Sequence, residues 1–244
     1  MVINTEDAVT AKKKAKATEG EVSRTEESIA VPADNEKEKR ACNPEPVKRD
    51  KFNNAATIPY GCTVEHIYQS MNEFLAFLGF INAQLNTKGI QRFESMLMPA
   101  NFSSMVGEFL IATLPKYCPT LAKNQYHNGH PDLLPKGMNP GDAPQHGTEG
   151  IEIKASRYSR GWQGHNAEEC WLMVVVFQSN RPTDTVKNVS PIPFRFKSVY
   201  LGRLTLADWS FSGRKNQSRR TITASVTKSG FEKMTTNWIY SDEG

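Results

Sequence analysis

The spacing of apolar residues changes along this chain and divides it into a helical part followed by a strand-rich part. Between Val64 and Leu75 apolar residues recur every three to four positions, and Thr63 directly before them is suited to cap a helix. Glycine and proline supply the stops, because neither continues a helix well. The predicted helices run from Val64 to about Lys88, from Ile90 to Met98, and from about Phe102 to Leu114, just before Pro115.

After residue 130 the pattern becomes that of β-strands. Between Gly150 and Ala155 two isoleucines alternate with Glu152 and Lys154, so these charged side chains are predicted to share one face of a strand. The segment from Pro131 to Leu134 is short and apolar, and the glycines and prolines that follow it allow it to fold back as the neighbouring strand. Further strands are predicted at 171–177, with both faces buried, and at 194–204, 219–227 and 237–240.

Helical segments that precede a strand-rich part predict an α/β fold with a central mixed β-sheet flanked by α-helices, rather than a barrel of repeated βα units. The chain of 244 residues is long enough for one such domain, placed at 58–244 after a charged tail at 1–57. Its strongest apolar run, Trp171 to Phe177, is too short to cross a membrane, and the charged N-terminus lacks the apolar centre of a secretory signal. We therefore expect no membrane span and a cytoplasmic location or another DNA-containing compartment.

Charge is distributed unevenly along the chain. Residues 1–57 contain 11 Lys or Arg and 11 Asp or Glu but few large apolar residues, a composition typical of a disordered tail. The net charge of +4 therefore belongs to the rest of the chain. Residues 154–233 hold 14 Lys or Arg against 5 Asp or Glu, and this basic excess predicts attraction to a polyanion such as nucleic acid.

Cysteines and histidines do not form a recognisable metal motif. The four cysteines are scattered without a Cys-X-X-Cys pair, which argues against a zinc ribbon and against a compact disulfide framework, so reduced thiols are expected. His127, His130 and His146 are near one another in sequence, but zinc would need two more convincing ligands. These histidines are therefore interpreted as loop residues beside a polar cleft.

Three residues give the most specific chemical signal in the chain. Asp132, on the first of the two neighbouring strands, is placed to lie beside Glu152 on the second, and Lys154 follows on the same face as Glu152. Two hard carboxylates suit Mg²⁺, which prefers oxygen ligands and keeps waters that a phosphodiester oxygen can replace. Because the Lys154 ammonium would add positive charge near the water and the phosphate, the set predicts phosphodiester hydrolysis.

Pro131-Asp132 followed by Glu152-Ile153-Lys154 resembles the PD-(D/E)XK nuclease superfamily, and the size and layout of the chain are most similar to a type II restriction endonuclease. The resemblance covers about residues 63–241. It implies a restriction-endonuclease-like sheet, Mg²⁺ held by the two acids, Lys154 as the third catalytic residue and double-stranded DNA as substrate. It also implies a homodimer, because palindromic DNA sites are often cut by dimers with two-fold symmetry. Many such enzymes carry a further acidic residue on a preceding helix, and Glu108 fits that placement as a metal ligand.

Two basic segments are predicted to contact the nucleic acid. The first directly follows Lys154 and is rich in hydrogen-bond donors and aromatic rings, so it should lie near the metal site. The second follows Gly213 and leads into a predicted strand. The residues predicted to contact phosphates or base edges are Arg157, Arg160, Gln163, His165 and Asn166 in the first segment, and Arg219 and Arg220 in the second.

Three other interpretations stay open from the sequence. A repair or recombination nuclease of the same superfamily would prefer a junction, flap or lesion to a short sequence. A histidine-centred nuclease would use His130 or His165 as general base. A non-catalytic DNA-binding protein would keep the acids and the lysine as a surface ion network.

Overall fold

A six-stranded mixed sheet forms the centre of the fold, in a computed structural model that describes residues 33–164, 166–211 and 223–242. The strands within these residues are β1 (Leu121–Lys123), β2 (Leu133–Pro135), β3 (Ile151–Ser156), β4 (Gln163–Gly164), β5 (Trp171–Gln178), β6 (Arg195–Arg203), β7 (Trp209–Phe211), β8 (Ala224–Val226) and β9 (Trp238–Ser241). The central sheet has the order β1-β2-β3-β5-β6-β9. Only β3 and β5 pair in parallel, and the other neighbours in this sheet are antiparallel.

Helices cover both faces of this sheet. The α-helices of the described residues are α1 (Ala33–Ala41), α2 (Val64–Asn86), α3 (Phe93–Met96), α4 (Pro99–Tyr117), α5 (Pro182–Val186) and α6 (Lys228–Thr236). α2 and α4 pack on one face, and α6 packs on the other. The predicted α/β class, a mixed sheet flanked by helices, is therefore confirmed. Over the described ranges, no helix is both long enough and apolar enough to cross a bilayer.

Capping chemistry sets the start of α2, as predicted. The Thr63 hydroxyl accepts a hydrogen bond from the backbone N–H of His66 at 3.4 Å, and the Thr63 N–H donates to His66 Nδ1 at 3.2 Å. The two following helices have other bounds than predicted, since α3 is shorter and α4 continues from Pro99 through Pro115. Proline is tolerated at the first position of a helix, because the backbone N–H that it lacks would have no hydrogen-bond partner within the helix. Pro115 costs α4 one backbone hydrogen bond, but only in the last turn of the helix, where Leu114 and Cys118 are buried.

The central strand β5 is buried on both faces, which confirms the prediction for residues 171–177. Its side chains alternate between two apolar clusters, with Met173, Val175 and Phe177 facing α2 and α4, and Leu172, Val174 and Val176 facing the other side. A second sheet in the order β4-β8-β7 closes this other side together with α6. Of this sheet only β8 was predicted, within 219–227, because β4 and β7 are too short to show a period.

Residues 33–57 belong to the folded domain, which corrects the prediction of a disordered tail that extends to residue 57. α1 lies in this segment, Cys42 and Val47 are buried, and Phe52 forms a β-bridge with Tyr240. Composition was misleading here because a few apolar side chains enter the large core, and these tertiary contacts order the segment. Residues 1–32 of the predicted tail lie outside the described residues.

Strand register brings the motif residues to one edge of the sheet. β2 pairs with β3 so that Leu133 faces Ile151, and the same antiparallel register sets Asp132 opposite Glu152. On its other side β3 pairs in parallel with β5, with Ile151 against Trp171. The residues just before β5 therefore lie at the same end of the sheet as the beginning of β3.

Gly150 permits the close approach of β2 and β3 at this end. Its φ is +149°, and a Cβ at this position would collide with the Leu133 carbonyl oxygen and lie 3.0 Å from Pro131 Cγ. We expect Gly150→Ala to lower the free energy of unfolding by roughly 1–3 kcal/mol, measured by denaturant titration. Gly147→Ala is the matched control, because its added Cβ would make only ordinary contact, 3.5 Å from Pro131 Cδ. Wild-type stability of Gly150→Ala would contradict this strand packing.

Candidate active site

The two motif acids lie side by side at the start of β3. Asp132 directly precedes β2, and its Oδ2 accepts a hydrogen bond from the backbone N–H of Ile153 at 2.8 Å. The register of β2 and β3 sets Asp132 opposite Glu152 on the neighbouring strand. The structure therefore brings these two acids together, as the strand pattern predicted.

Lys154 is the cationic member of the same cluster. Its Nζ donates to Glu152 Oε1 at 2.8 Å and to Glu168 Oε1 at 3.3 Å. The side chain is 22% exposed, so the ammonium is largely withdrawn from solvent between two carboxylates. Glu152 and Lys154 occupy alternate positions of β3 and share a face, which confirms the pattern prediction.

His130 and Glu168 complete the cluster. His130 Nδ1 lies 3.0 Å from Glu152 Oε2, and Glu168 stands two residues before Cys170, ahead of β5. From the sequence, His130 was interpreted as a loop residue beside a polar cleft, with the role of general base left as an alternative, and Glu168 was missed. The available signal was that Glu168 precedes a buried strand, because the beginnings of parallel neighbours such as β3 and β5 meet at one edge of a sheet.

The protonation of Asp132 and Glu152 is linked. Burial, and then the negative charge of Glu152, raise the pKa of Asp132 to about 8. Burial also acts to raise the pKa of Glu152, but hydrogen bonds from His130 and Lys154 overcome it and lower this pKa to about 2. Near neutral pH the metal-free pair thus holds one proton, on Asp132, beside an ionised Glu152.

The other three groups respond to the same charges. Burial acts to lower the pKa of Lys154, but the charges of Glu152 and Glu168 raise it, so Lys154 stays an ammonium. Burial likewise acts to lower the pKa of His130, and the hydrogen bond to Glu152 raises it overall. Burial raises the pKa of Glu168 despite the opposing charge of Lys154. Burial thus opposes the ionisation of Asp132 and Glu168 in the metal-free cluster.

This donor set fits a divalent cation. One candidate ligand atom from each of His130, Glu152 and Glu168 lies within 4.8 Å of the other two. His130 Nε2 and Glu168 Oε2 are buried and have no hydrogen-bond partner among the described residues. Unsatisfied buried polar atoms are costly, and a bound cation would satisfy both.

Glu108 does not join the cluster, which corrects its prediction as a metal ligand. It lies on α4 with 65% of its side chain exposed and accepts a hydrogen bond from Lys123 Nζ at 3.2 Å. The sequence pattern located the helix but could not determine which way this residue faces. Glu168 supplies the additional carboxylate of the cluster instead.

Arg157 is directed inward, which corrects its prediction as a DNA contact. Its Nη1 donates to the backbone oxygen and the hydroxyl of Ser179, both at 2.7 Å. The guanidinium carbon lies 5.4 Å and 5.1 Å from the ring centroids of Phe102 and Phe177. Burial lowers the pKa of Arg157 to about 10. This arginine therefore belongs to the core beneath the loop rather than to its surface.

The rest of the first basic loop borders the site. Arg160, Gln163 and Asn166 are exposed. A Cβ added at Gly164 would lie 3.2 Å from Glu168 Oε1 and 3.5 Å from Lys154 Cε, so the loop touches the cluster at this glycine. The predicted DNA contacts His165, Arg219 and Arg220 lie outside the described residues.

The other two histidines near His130 in sequence are not among the candidate ligands of this cluster. His127 and His146 are exposed, and of the three only His130 belongs to a candidate metal cluster within the part of the chain that the structure describes. The four cysteine thiols are buried. Cys62 and Cys118 form another three-residue group with His66, at the start of α2 and away from the motif residues in sequence.

Comparison with protein-family models, with curated proteins and with solved structures gives no match for this chain. The functional argument therefore rests on the geometry of the cluster formed by His130, Asp132, Glu152, Lys154 and Glu168, called the acidic cluster below.

Proposed function

We propose that this protein is a divalent-cation-dependent endodeoxyribonuclease that hydrolyses phosphodiester bonds in double-stranded DNA, with the architecture and action of a type II restriction enzyme. The observation that supports this most is the convergence of Asp132, Glu152 and Lys154 at one edge of the sheet. Two of these groups are acids that could hold a cation, and the third is a buried ammonium. This is the combination that attack of water on a phosphodiester requires.

Three residues of the acidic cluster have a task in this proposal. Asp132 and Glu152 would hold the cation, with Mg²⁺ the ion that two carboxylates by themselves favour. When bound, such an ion neutralises charge on the phosphoryl oxygens and lowers the pKa of water. Lys154 acts as a charged hydrogen-bond donor to water and phosphate and not as a base, because its pKa is raised.

The surroundings of the cluster support DNA as the substrate. Exposed Arg160, Gln163 and Asn166 lie on the loop that reaches Lys154 through Gly164, so a phosphate backbone in the site would pass beside them. Residues 154–233 are strongly basic. A homodimer belongs to the proposal, because two clusters related by a two-fold axis would cut both strands of a palindromic site.

Two alternatives predict different results. A repair or recombination nuclease would cut branched or damaged DNA in preference to an intact duplex. A non-catalytic DNA-binding protein would bind duplex DNA in a salt-sensitive manner without cleavage. The depth of the acidic cluster favours an enzyme, since Glu152 is largely buried and not part of an exposed ion network.

The direct test is incubation of the purified protein with mixed-sequence duplex DNA, with EDTA and with Mg²⁺ or Mn²⁺, followed by sequencing of the fragment ends. We expect cation-dependent fragments with discrete ends at a short common sequence. Plasmid and branched substrates run in parallel separate a restriction enzyme from a structure-specific nuclease. Intact DNA under all conditions, with duplex binding retained, would refute the nuclease and favour the binding protein.

The metal-free protein should lose stability as the pH rises from about 5 to about 8. Asp132 has a pKa of about 8 in the folded protein and about 4 in the unfolded chain, so the folded state holds an extra proton between these values and the stability it contributes is lost progressively up to pH 8. The raised pKa values of His130 and Glu168 act in the same direction. Thermal unfolding in EDTA should show a falling Tm, and Asp132→Asn or added Mn²⁺ should flatten the profile. A Tm in EDTA that is constant or rises over this range would contradict the assigned protonation.

A further inference from the structure

Glu152 determines which nitrogen of His130 is available to a ligand. Its Oε1 accepts a hydrogen bond from the Lys154 ammonium at 2.8 Å, so Glu152 meets its neighbours as a hydrogen-bond acceptor. His130 Nδ1, 3.0 Å from Glu152 Oε2, must therefore carry the hydrogen. In the neutral imidazole this leaves the lone pair on Nε2, which is the arrangement of histidines that bind metals and donate their other N–H to a carboxylate.

Two atoms of the acidic cluster support a ligand at this nitrogen. His130 Nε2 is buried and has no hydrogen-bond partner among the residues that the structure describes, and the same holds for Glu168 Oε2. The Glu168 side chain is only 11% exposed, so solvent does not readily satisfy this oxygen. The other Glu168 oxygen is engaged with Lys154. An imidazole nitrogen and a carboxylate oxygen are thus both left without partners in one cluster.

We propose that His130 and Glu168 bind a divalent transition-metal ion, so that the acidic cluster selects an ion such as Mn²⁺ over Mg²⁺. Mg²⁺ favours oxygen ligands in a strict octahedron, whereas transition-metal ions accept imidazole together with carboxylate. This inference deepens the proposed function, on which it rests for the chemical role of the ion. It assigns ligand roles to two residues outside the Asp132, Glu152 and Lys154 motif.

Metal binding to the full chain, measured after removal of metal with EDTA, tests the proposal without DNA. Calorimetric titration of wild type should give a Kd for Mn²⁺ at least about tenfold below that for Mg²⁺. Electron spin-echo spectroscopy of bound Mn²⁺ should show modulation from a directly coordinated imidazole nitrogen. Equal affinity for the two ions together with the absence of that nitrogen signal would overturn the proposal.

His130→Asn is the decisive variant, because its amide N–H can replace Nδ1–H toward Glu152 while Nε2 is lost. We expect Mn²⁺ affinity to fall roughly 10- to 100-fold, the imidazole signal to disappear, and Mg²⁺ affinity to change little. Glu168→Gln should weaken Mn²⁺ binding in a similar way. His127→Asn, at an exposed histidine near the cluster in sequence, is the control and should bind Mn²⁺ as wild type does. An imidazole signal that persists in His130→Asn would overturn the assignment.

Parallel cleavage assays separate this inference from the proposed function. Imidazole-bound Mn²⁺ without DNA cleavage would support the metal site and refute the nuclease. DNA cleavage with Mg²⁺ and with Mn²⁺, equal in wild type and in His130→Asn, would retain the nuclease and refute the role of His130. Circular dichroism and thermal unfolding of each variant establish that a loss of binding does not reflect a loss of folding.

Discussion

Replacement of Asp132 by asparagine should reduce cation-dependent DNA cleavage by roughly a thousandfold, the effect expected when one electrostatic component of a preorganised site is lost. Asparagine has nearly the shape of aspartate and can still accept the hydrogen bond from the Ile153 N–H. It lacks the negative charge that would help to hold the cation. The loss should therefore appear as activity and metal affinity that fall together, measured by single-turnover cleavage and by calorimetry on the same preparation.

Lys154→Met should lower cleavage to a similar degree for another reason, since it removes the ammonium between Glu152 and Glu168 while keeping a long side chain. Glu108→Gln is the matched control for both variants. It removes an acidic charge from an exposed side chain paired with Lys123 and should leave cleavage unchanged. Full activity of Asp132→Asn, or an equal loss in Glu108→Gln, would show that the acidic cluster is not the catalytic centre.

Arg92→Leu should lower the free energy of unfolding by about 3–5 kcal/mol, the range observed when one partner of a buried ion pair is removed. The Arg92 side chain is 2% exposed, and its guanidinium donates to Glu94 Oε1, to the Ile192 backbone oxygen and to Asn180 Oδ1, each at 2.8 Å. Glu94 is fully buried and would keep only the hydrogen bond from Asn82 Nδ2. The variant would therefore leave a negative charge in the core without its cationic partner.

Two further variants establish the cause of that loss. Arg49→Leu breaks an exposed bidentate pair with Glu65, so in urea titrations it should lower the free energy of unfolding far less than Arg92→Leu does. The double variant with Arg92→Leu and Glu94→Leu should recover part of the loss, because neither buried charge remains. A small effect of Arg92→Leu alone would mean that the ion network contributes little to stability.

The sequence pattern was most informative where one physical constraint dominated. The apolar run at 171–177 predicted a strand buried on both faces, and β5 has that environment. Thr63 before a helical repeat predicted a helix start, and its capping box forms there. Alternation in β3 placed Glu152 and Lys154 on one face, and both belong to the acidic cluster. These predictions depended on local geometry, which neighbouring residues determine.

Prediction was weakest where side-chain direction or long-range contact decided the outcome. Arg157 and Arg160 lie in one basic loop, yet Arg157 is directed toward Ser179 and two phenylalanine rings while Arg160 is exposed. Glu108 was expected in the metal site and faces Lys123 instead. Residues 33–57 resembled a tail in composition, although Val47 is buried in the core. In each case the deciding partner is distant in sequence.

The sequence by itself determined the class of the fold, the capped start of α2, the buried strand β5 and the shared face of Glu152 and Lys154, because periodicity and capping act over a few residues. The approach of Asp132 to Glu152 across β2 and β3 was predicted, but tertiary structure alone decided that Glu168 and His130 join them. Strand order and register bring together residues that are up to 38 positions apart, from His130 to Glu168. No local pattern specifies that pairing, because it depends on how the whole sheet buries its two faces.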